Sequence, residues 1–303
     1  MLTFFVISII TAILVSAFLP KEYRAFGDDV DDPTNPLLYI GMVVLFTFFI
    51  LYIVRKGGQR VIQMIILFAV GMTMYFVLRP IIWQFTSYMV AEILSLQIAF
   101  ILTYSLYKYP EWYVVDLSGL LVAAGATAIF GISLSILPAL VLMAVLALYD
   151  AIAVYRTKHM VDLADSVMDL RLPILLVVPK ETGYSFMEQA SIKQEIAEGK
   201  EREAMFMGLG DIIIPGVLVV STFTFLPEVL GEVTVAGIPG NWIVSLATLA
   251  GAVGGFWALM WFVWKGRPQA GLPLLNSGAF LGYAISVLAI YQQFGINWFG
   301  TVI

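Results

Sequence analysis

The sequence predicts an all-α membrane protein, a polytopic bundle of about nine transmembrane helices. Three observations carry that expectation. Of 303 residues, 61% are hydrophobic and 12% charged, and the mean hydropathy is +0.94, far more apolar than a soluble domain of this length. The apolar residues fall in runs of about 20, the length that crosses a bilayer as a helix. No segment alternates with the period of two that marks the strands of a membrane barrel.

The first run, 2 to 19, lacks a basic leading segment and an A-x-A cleavage site, so it reads as a retained membrane helix. The second covers 37 to 54 and the third 61 to 78. The fourth, 81 to 107, is the least regular because it holds Gln84, Glu92 and Gln97; a polar contact between helices is the expected role of Glu92. The fifth and sixth, 113 to 130 and 134 to 155, are separated only by "GISLS". Asp116 lies near the start of the fifth, where snorkelling or capping accounts for it. The last three cover 205 to 226, 242 to 264 and 271 to 294, and the glycines of "GAVGG" at 251 to 255 and "GAFLG" at 278 to 282 let helices approach closely. The chain thus divides into a six-helix part, 1 to 155, a loop, 156 to 204, and a three-helix part, 205 to 303.

Lysines and arginines set the orientation. With a cytoplasmic N-terminus, only Lys21, Arg24 and Arg79 of the 16 basic residues lie outside. The expected protein is therefore multi-pass in the cell membrane, with its N-terminus cytoplasmic and its C-terminus outside. The long charged loop holds "LPILLVVP", 172 to 179, an apolar run bounded by Pro173 and Pro179 with Leu176 at its centre. It reads either as a segment resting on the membrane or as a strand, Ile174 to Val178, able to pair with an unwound peptide. The tract "KETGYSFMEQASIKQEIAEGKERE" reads as a linker.

Several chemistries drop out. The chain has no cysteine, which removes disulfides, thiolate metal sites and cysteine nucleophiles. Its one histidine, His159, reads as a solvated loop residue and leaves no HExxH zinc site. The net charge of −5 resides in loops, and no basic patch points to nucleic acid.

The buried carboxylates carry the functional signal, because an ionised acid in hydrocarbon costs roughly 2.5 kcal/mol or more. Asp150 and Asp211 each lie about six residues from the cytoplasmic end of the sixth and seventh helices. Those helices run antiparallel, so both acids are expected at about 9 Å below the surface. Two facing carboxylates suit two chemistries. Sharing one proton, they can activate water and protonate a peptide carbonyl; alternatively they bind a cation or relay protons in a transporter or channel. Gly208 and Gly210 strip side chains from the approach to Asp211.

"YD" at 149 to 150, "GLGD" at 208 to 211 and "AGLP" at 270 to 273 resemble the three motifs of the presenilin and signal peptide peptidase family of intramembrane aspartyl proteases. The resemblance spans helices six to nine, and the nine-helix count agrees with it. The cytoplasmic N-terminus is similar to presenilin and opposite to signal peptide peptidase. The likeness suggests a prokaryotic presenilin homologue. It implies that Asp150 and Asp211 are the catalytic pair, supported by Tyr149, Gly208, Leu209 and Gly210. The third motif of the family reads P-A-L; here Ala270 and Gly271 replace its proline and alanine, while Leu272 is retained and Pro273 follows. Pro273 also reads as a first-turn residue whose missing donor costs nothing.

The expected function is therefore hydrolysis, by water, of peptide bonds in the transmembrane helices of substrate membrane proteins in the lipid bilayer, with no metal or organic cofactor. A homo-oligomer is compatible with the sequence. A cation or proton transporter using the same aspartates is the alternative, and a catalytically silent membrane chaperone a third reading.

Overall fold

In the computed structural model the described residues are 1–27, 29–55, 59–157, 175–180, 184–186, 204–265, 269–293, 297–298 and 301–302. Among them stand nine α-helices: α1 (Leu2–Ser16), α2 (Asn35–Arg55), α3 (Gln59–Trp83), α4 (Tyr88–Lys108), α5 (Trp112–Ser133), α6 (Ile136–Ile152), α7 (Gly210–Leu230), α8 (Gly240–Trp264) and α9 (Gly271–Tyr291). Seven of these, α3 to α9, are long and apolar enough to cross a membrane. Two strands, β1 (Leu175–Pro179) and β2 (Ala204–Gly208), form an antiparallel pair, and α7 begins two residues after β2 ends. His159, Ile174 and most of the loop between α6 and β2 lie outside the described residues.

The order of elements follows the hydropathy pattern, with two corrections. Residues 205–208, expected as the start of the seventh helix, belong to β2. The run "AMFMG" is apolar enough for either state, and pairing with β1 decides it. In the third helix the chain continues through Pro80 to Trp83, and Gln84 occupies the following turn instead of a helix. Proline costs one main-chain bond there, which neighbouring packing in a membrane bundle offsets.

The chain forms two compact units. The first comprises Met1, Gly41–Gly125 and Lys158–Leu209. Its α3 and α4 are joined by an ion pair from Arg79 Nε to Glu92 at 2.9 Å, and the Tyr75 hydroxyl donates to the same carboxylate. Glu92 is therefore the interhelical polar contact expected of it: its charge is met by a cation instead of being left in hydrocarbon. Leu67, Val70, Met74, Val115, Val177 and Phe186 form one apolar cluster, which takes in β1. The Glu111 carboxylate accepts from Ser185 Oγ at 2.8 Å and from the Phe186 amide at 3.1 Å, which fixes the short described piece 184–186.

The second unit comprises Leu2–Ile40, Ala126–Thr157 and Gly210–Ile303. Helix α7 lies at its centre, in contact with α1, α6, α8 and α9. Ile212, Val217, Leu218, Val219 and Val220 are fully buried, so α7 is apolar on every side, as a helix surrounded by others must be. Its polar groups are met: Ser221 Oγ donates to the Leu134 carbonyl at 2.9 Å, and Thr222 Oγ1 meets Ser245 Oγ at 3.1 Å. Helices α8 and α9 cross at Gly251, Gly255, Gly278 and Gly282, where a Cβ on any one would run into the facing backbone. This is the close approach expected of the two glycine pairs.

Candidate active site

Asp150 is the third residue from the end of α6, before the chain widens into a π-helical turn over Ala153–Thr157. Such turns recur at functional sites. The carboxyl is buried, with 8% of the residue exposed. Asp211 is the second residue of α7, in its first turn.

What brings the two together is the start of α9. Its cap, Ala270, is extended (φ −66°, ψ 126°), and Gly271, Leu272 and Pro273 are the first three helical residues. The first amides of a helix have no partner within it and attract negative charge. The Leu272 amide donates to Asp150 Oδ2 at 3.1 Å. Gly271 also faces Asp211: a Cβ at this position would lie 3.3 Å from Asp211 Oδ1. The two acids thus converge on one dipeptide, within electrostatic reach of each other. Only a residue without a side chain fits between them at no displacement. Pro273 needs no donor at the third helical position, as expected.

The remaining expected residues lie differently. Tyr149 presents an exposed ring. Leu209 is buried, and its side chain packs at Gly119 of α5, while Gly210 has open space where a Cβ would stand. Leu176 is fully buried in β1, opposite Met207 of β2. Leu209 of "GLGD" and Leu176 of "LPILLVVP" therefore meet at one glycine of α5, within the first unit. Gly208 closes β2, opposite Leu175.

Sequence reasoning missed two polar groups. Asn276, buried on α9, donates from Nδ2 to the Met143 carbonyl of α6 at 2.9 Å and ties those helices one turn beyond the dipeptide. Beside it lies an apolar cavity of about 370 Å³, lined in part by Met143, Ala147, Pro273 and Phe280. Asp116 neither snorkels nor caps: it is 2% exposed and accepts the Val177 amide through Oδ1 at 2.7 Å. A lone intramembrane acid was the available signal in the second case; no local signal marked the first.

Comparison with known proteins gives the same picture. A family model for "Signal-peptide peptidase, presenilin aspartyl protease" matches residues 2–292. A solved structure of "a presenilin family intramembrane aspartate protease" in the C222 space group is 33% identical, with a TM-score of 0.68, over 95% of this chain and 98% of that one. A second, in the P2 space group, is 34% identical, with a TM-score of 0.67, over 95% and 96%. Among curated proteins none matches the chain. With its two aspartates gathered at the start of α9 and a family match running through almost its whole length, the chain belongs to the signal-peptide peptidase and presenilin family and is a polytopic intramembrane aspartyl protease.

Proposed function

We propose that Asp150 and Asp211 are the catalytic pair of this protease and that they act on peptide bonds within or near the transmembrane helices of other membrane proteins. One observation carries the assignment: acids from two different helices converge on Gly271 and Leu272. Two like charges so placed hold one proton between them. The ionised member takes a proton from water as the oxygen attacks the peptide carbonyl, and the protonated member donates to the carbonyl oxygen. Collapse of the tetrahedral diol then transfers a proton to the leaving nitrogen. The Leu272 amide at the start of α9 holds Asp150 in place, and Gly271, having no side chain, lets Asp211 approach.

A substrate helix must unwind before its bonds are exposed, leaving main-chain groups unpaired where each costs several kcal/mol. The β1–β2 pair supports strand addition as the remedy. Val177 directs its amide to Asp116, away from β2, and opposed residues of an antiparallel ladder face inward or outward together. The outward positions are then Leu175, Val177 and Pro179 on β1, and Gly208, Phe206 and Ala204 on β2. On β1 the Val177 donor is occupied and Pro179 has none, so the substrate pairs along β2, with Leu176 holding β2 from the other side. A cytoplasmic N-terminus is supported by the charge distribution, since that orientation leaves only Lys21, Arg24 and Arg79 of the 16 basic residues outside.

Purified protein incubated in detergent with a single-span peptide tests the reading. Mass spectrometry should find a product with a new carboxyl terminus inside the span. Intact peptide after prolonged incubation, together with ion uptake into vesicles, would instead mark a transporter.

A further inference from the structure

Among the described residues, the hydrolytic scheme leaves the buried acid Asp116 unused. Asp116 is 2% exposed on α5. Its Oδ1 accepts the Val177 amide at 2.7 Å, and its Oδ2 has no hydrogen-bond partner among the described residues. Burying a carboxyl with half its acceptor capacity unmet is a costly way to hold a strand.

The surroundings show what is held. Gly119 lies one turn further along α5, on the same face. A Cβ there would stand 3.3 Å from Leu176 Cδ2 and 3.5 Å from Leu209 Cδ2. Asp116 and Gly119 therefore form a seat: the acid takes the main chain of β1 at Val177, and the glycine takes the side chains of Leu176 and Leu209. Leu209 is the single residue between β2 and the helix that carries Asp211. Among the three outward residues of β1, Pro179 has no donor, and Asp116 removes that of Val177, leaving only Leu175. Edge strands are commonly blunted in this way against unwanted pairing.

We propose that Asp116 is a positioning residue for proteolysis. By occupying the Val177 amide it closes the outer edge of β1 and holds β2 in register, so that an unwound substrate has one edge to pair with and one register in which to be cut. The proposal rests on the reading of strand addition to a protease. Without the acceptor, the β1 edge becomes a second template. A strand that slips keeps its faces only if it moves by two residues, so miscut products should differ by two.

The test compares wild type, Asp116→Asn, Asp116→Leu and Asp150→Asn on one single-span peptide, with kcat and KM measured separately and products read by mass spectrometry. Asp116→Asn retains an oxygen that accepts the Val177 amide, and its kcat/KM should stay within about threefold of wild type. Asp116→Leu should raise KM about tenfold or more, spread cleavage over sites two residues apart and leave the pH profile of kcat unchanged, since the catalytic pair is intact. Hydrogen exchange at Val177 should quicken in Asp116→Leu alone. A single wild-type cut with wild-type KM in Asp116→Leu overturns the proposal, and so does an Asp116→Asn protein as impaired as Asp116→Leu. Where the leucine variant does not fold, Asp116→Asn decides: one register at near wild-type rate supports the acceptor role, and loss refutes it. Absence of cleavage by wild type, or full cleavage by Asp150→Asn, would count instead against the protease assignment itself.

Discussion

Gly271 offers the sharpest quantitative test of the site geometry. A Cβ added there would lie 3.3 Å from Asp211 Oδ1 and 3.5 Å from its Cγ, against an ordinary contact range that starts at 3.4 Å. Gly271→Ala therefore requires the carboxyl to move by one or two tenths of an ångström. Misplacement of a reacting group by about 1 Å costs about a hundredfold in rate, so a shift of about 0.2 Å corresponds to roughly two- to threefold. Alanine is also the residue that the family motif carries here. Gly271→Val extends a methyl about 1.5 Å further, and its stiff χ1 leaves few ways to turn aside. The carboxyl must then move on the order of 1 Å, and the rate should fall about a hundredfold. Gly271 does not occupy the left-handed region, so alanine suits the first turn of α9 and should not lower the thermal midpoint. The assay is initial cleavage rate per folded molecule, with unfolding followed in the same detergent. A valine variant as active as wild type would show that Asp211 is not placed by the approach of Gly271, and an inactive but folded alanine variant would show that the spacing is tighter than the geometry states.

Asp150→Asn or Asp211→Asn should each bring cleavage to background while leaving extraction and folding intact, and the double variant should be little worse than either, because the pair acts as a unit; a single variant that keeps more than about a tenth of the rate contradicts the pairing. The rate should rise and then fall with pH. Below the first macroscopic pKa of the pair both acids are protonated and no base remains, and above the second both are ionised and no acid remains; a flat profile between about pH 4 and 9 would argue against the shared proton. Leu176→Pro removes an inward amide opposite Met207 and should lower cleavage sharply, whereas Leu176→Ile, similar in volume, should lose less than about tenfold. Unchanged cleavage by the proline variant would take the strand pair out of the mechanism.

Much of the architecture was readable in one dimension because the bilayer is a solvent of set thickness. It demands about 20 apolar residues per crossing, and that demand is visible in composition without any knowledge of neighbours. The same solvent made Asp150, Asp211 and Glu92 conspicuous, since an acid in hydrocarbon needs a reason. The ends of elements and the partners of polar groups were not readable. Residues 205–208 became a strand only because β1, about thirty residues earlier, supplies the ladder. The partner of Glu92 is Arg79, from another helix, and that of Asp116 is an amide 61 residues away. The two catalytic candidates converge at the start of a third helix, Asp150 through the Leu272 amide and Asp211 against the bare Gly271. Hydropathy records the solvent that each side chain will meet, and that is a local property. Which donor reaches which acceptor depends on the backbones that packing brings within 3 Å or so, and only the folded chain decides it.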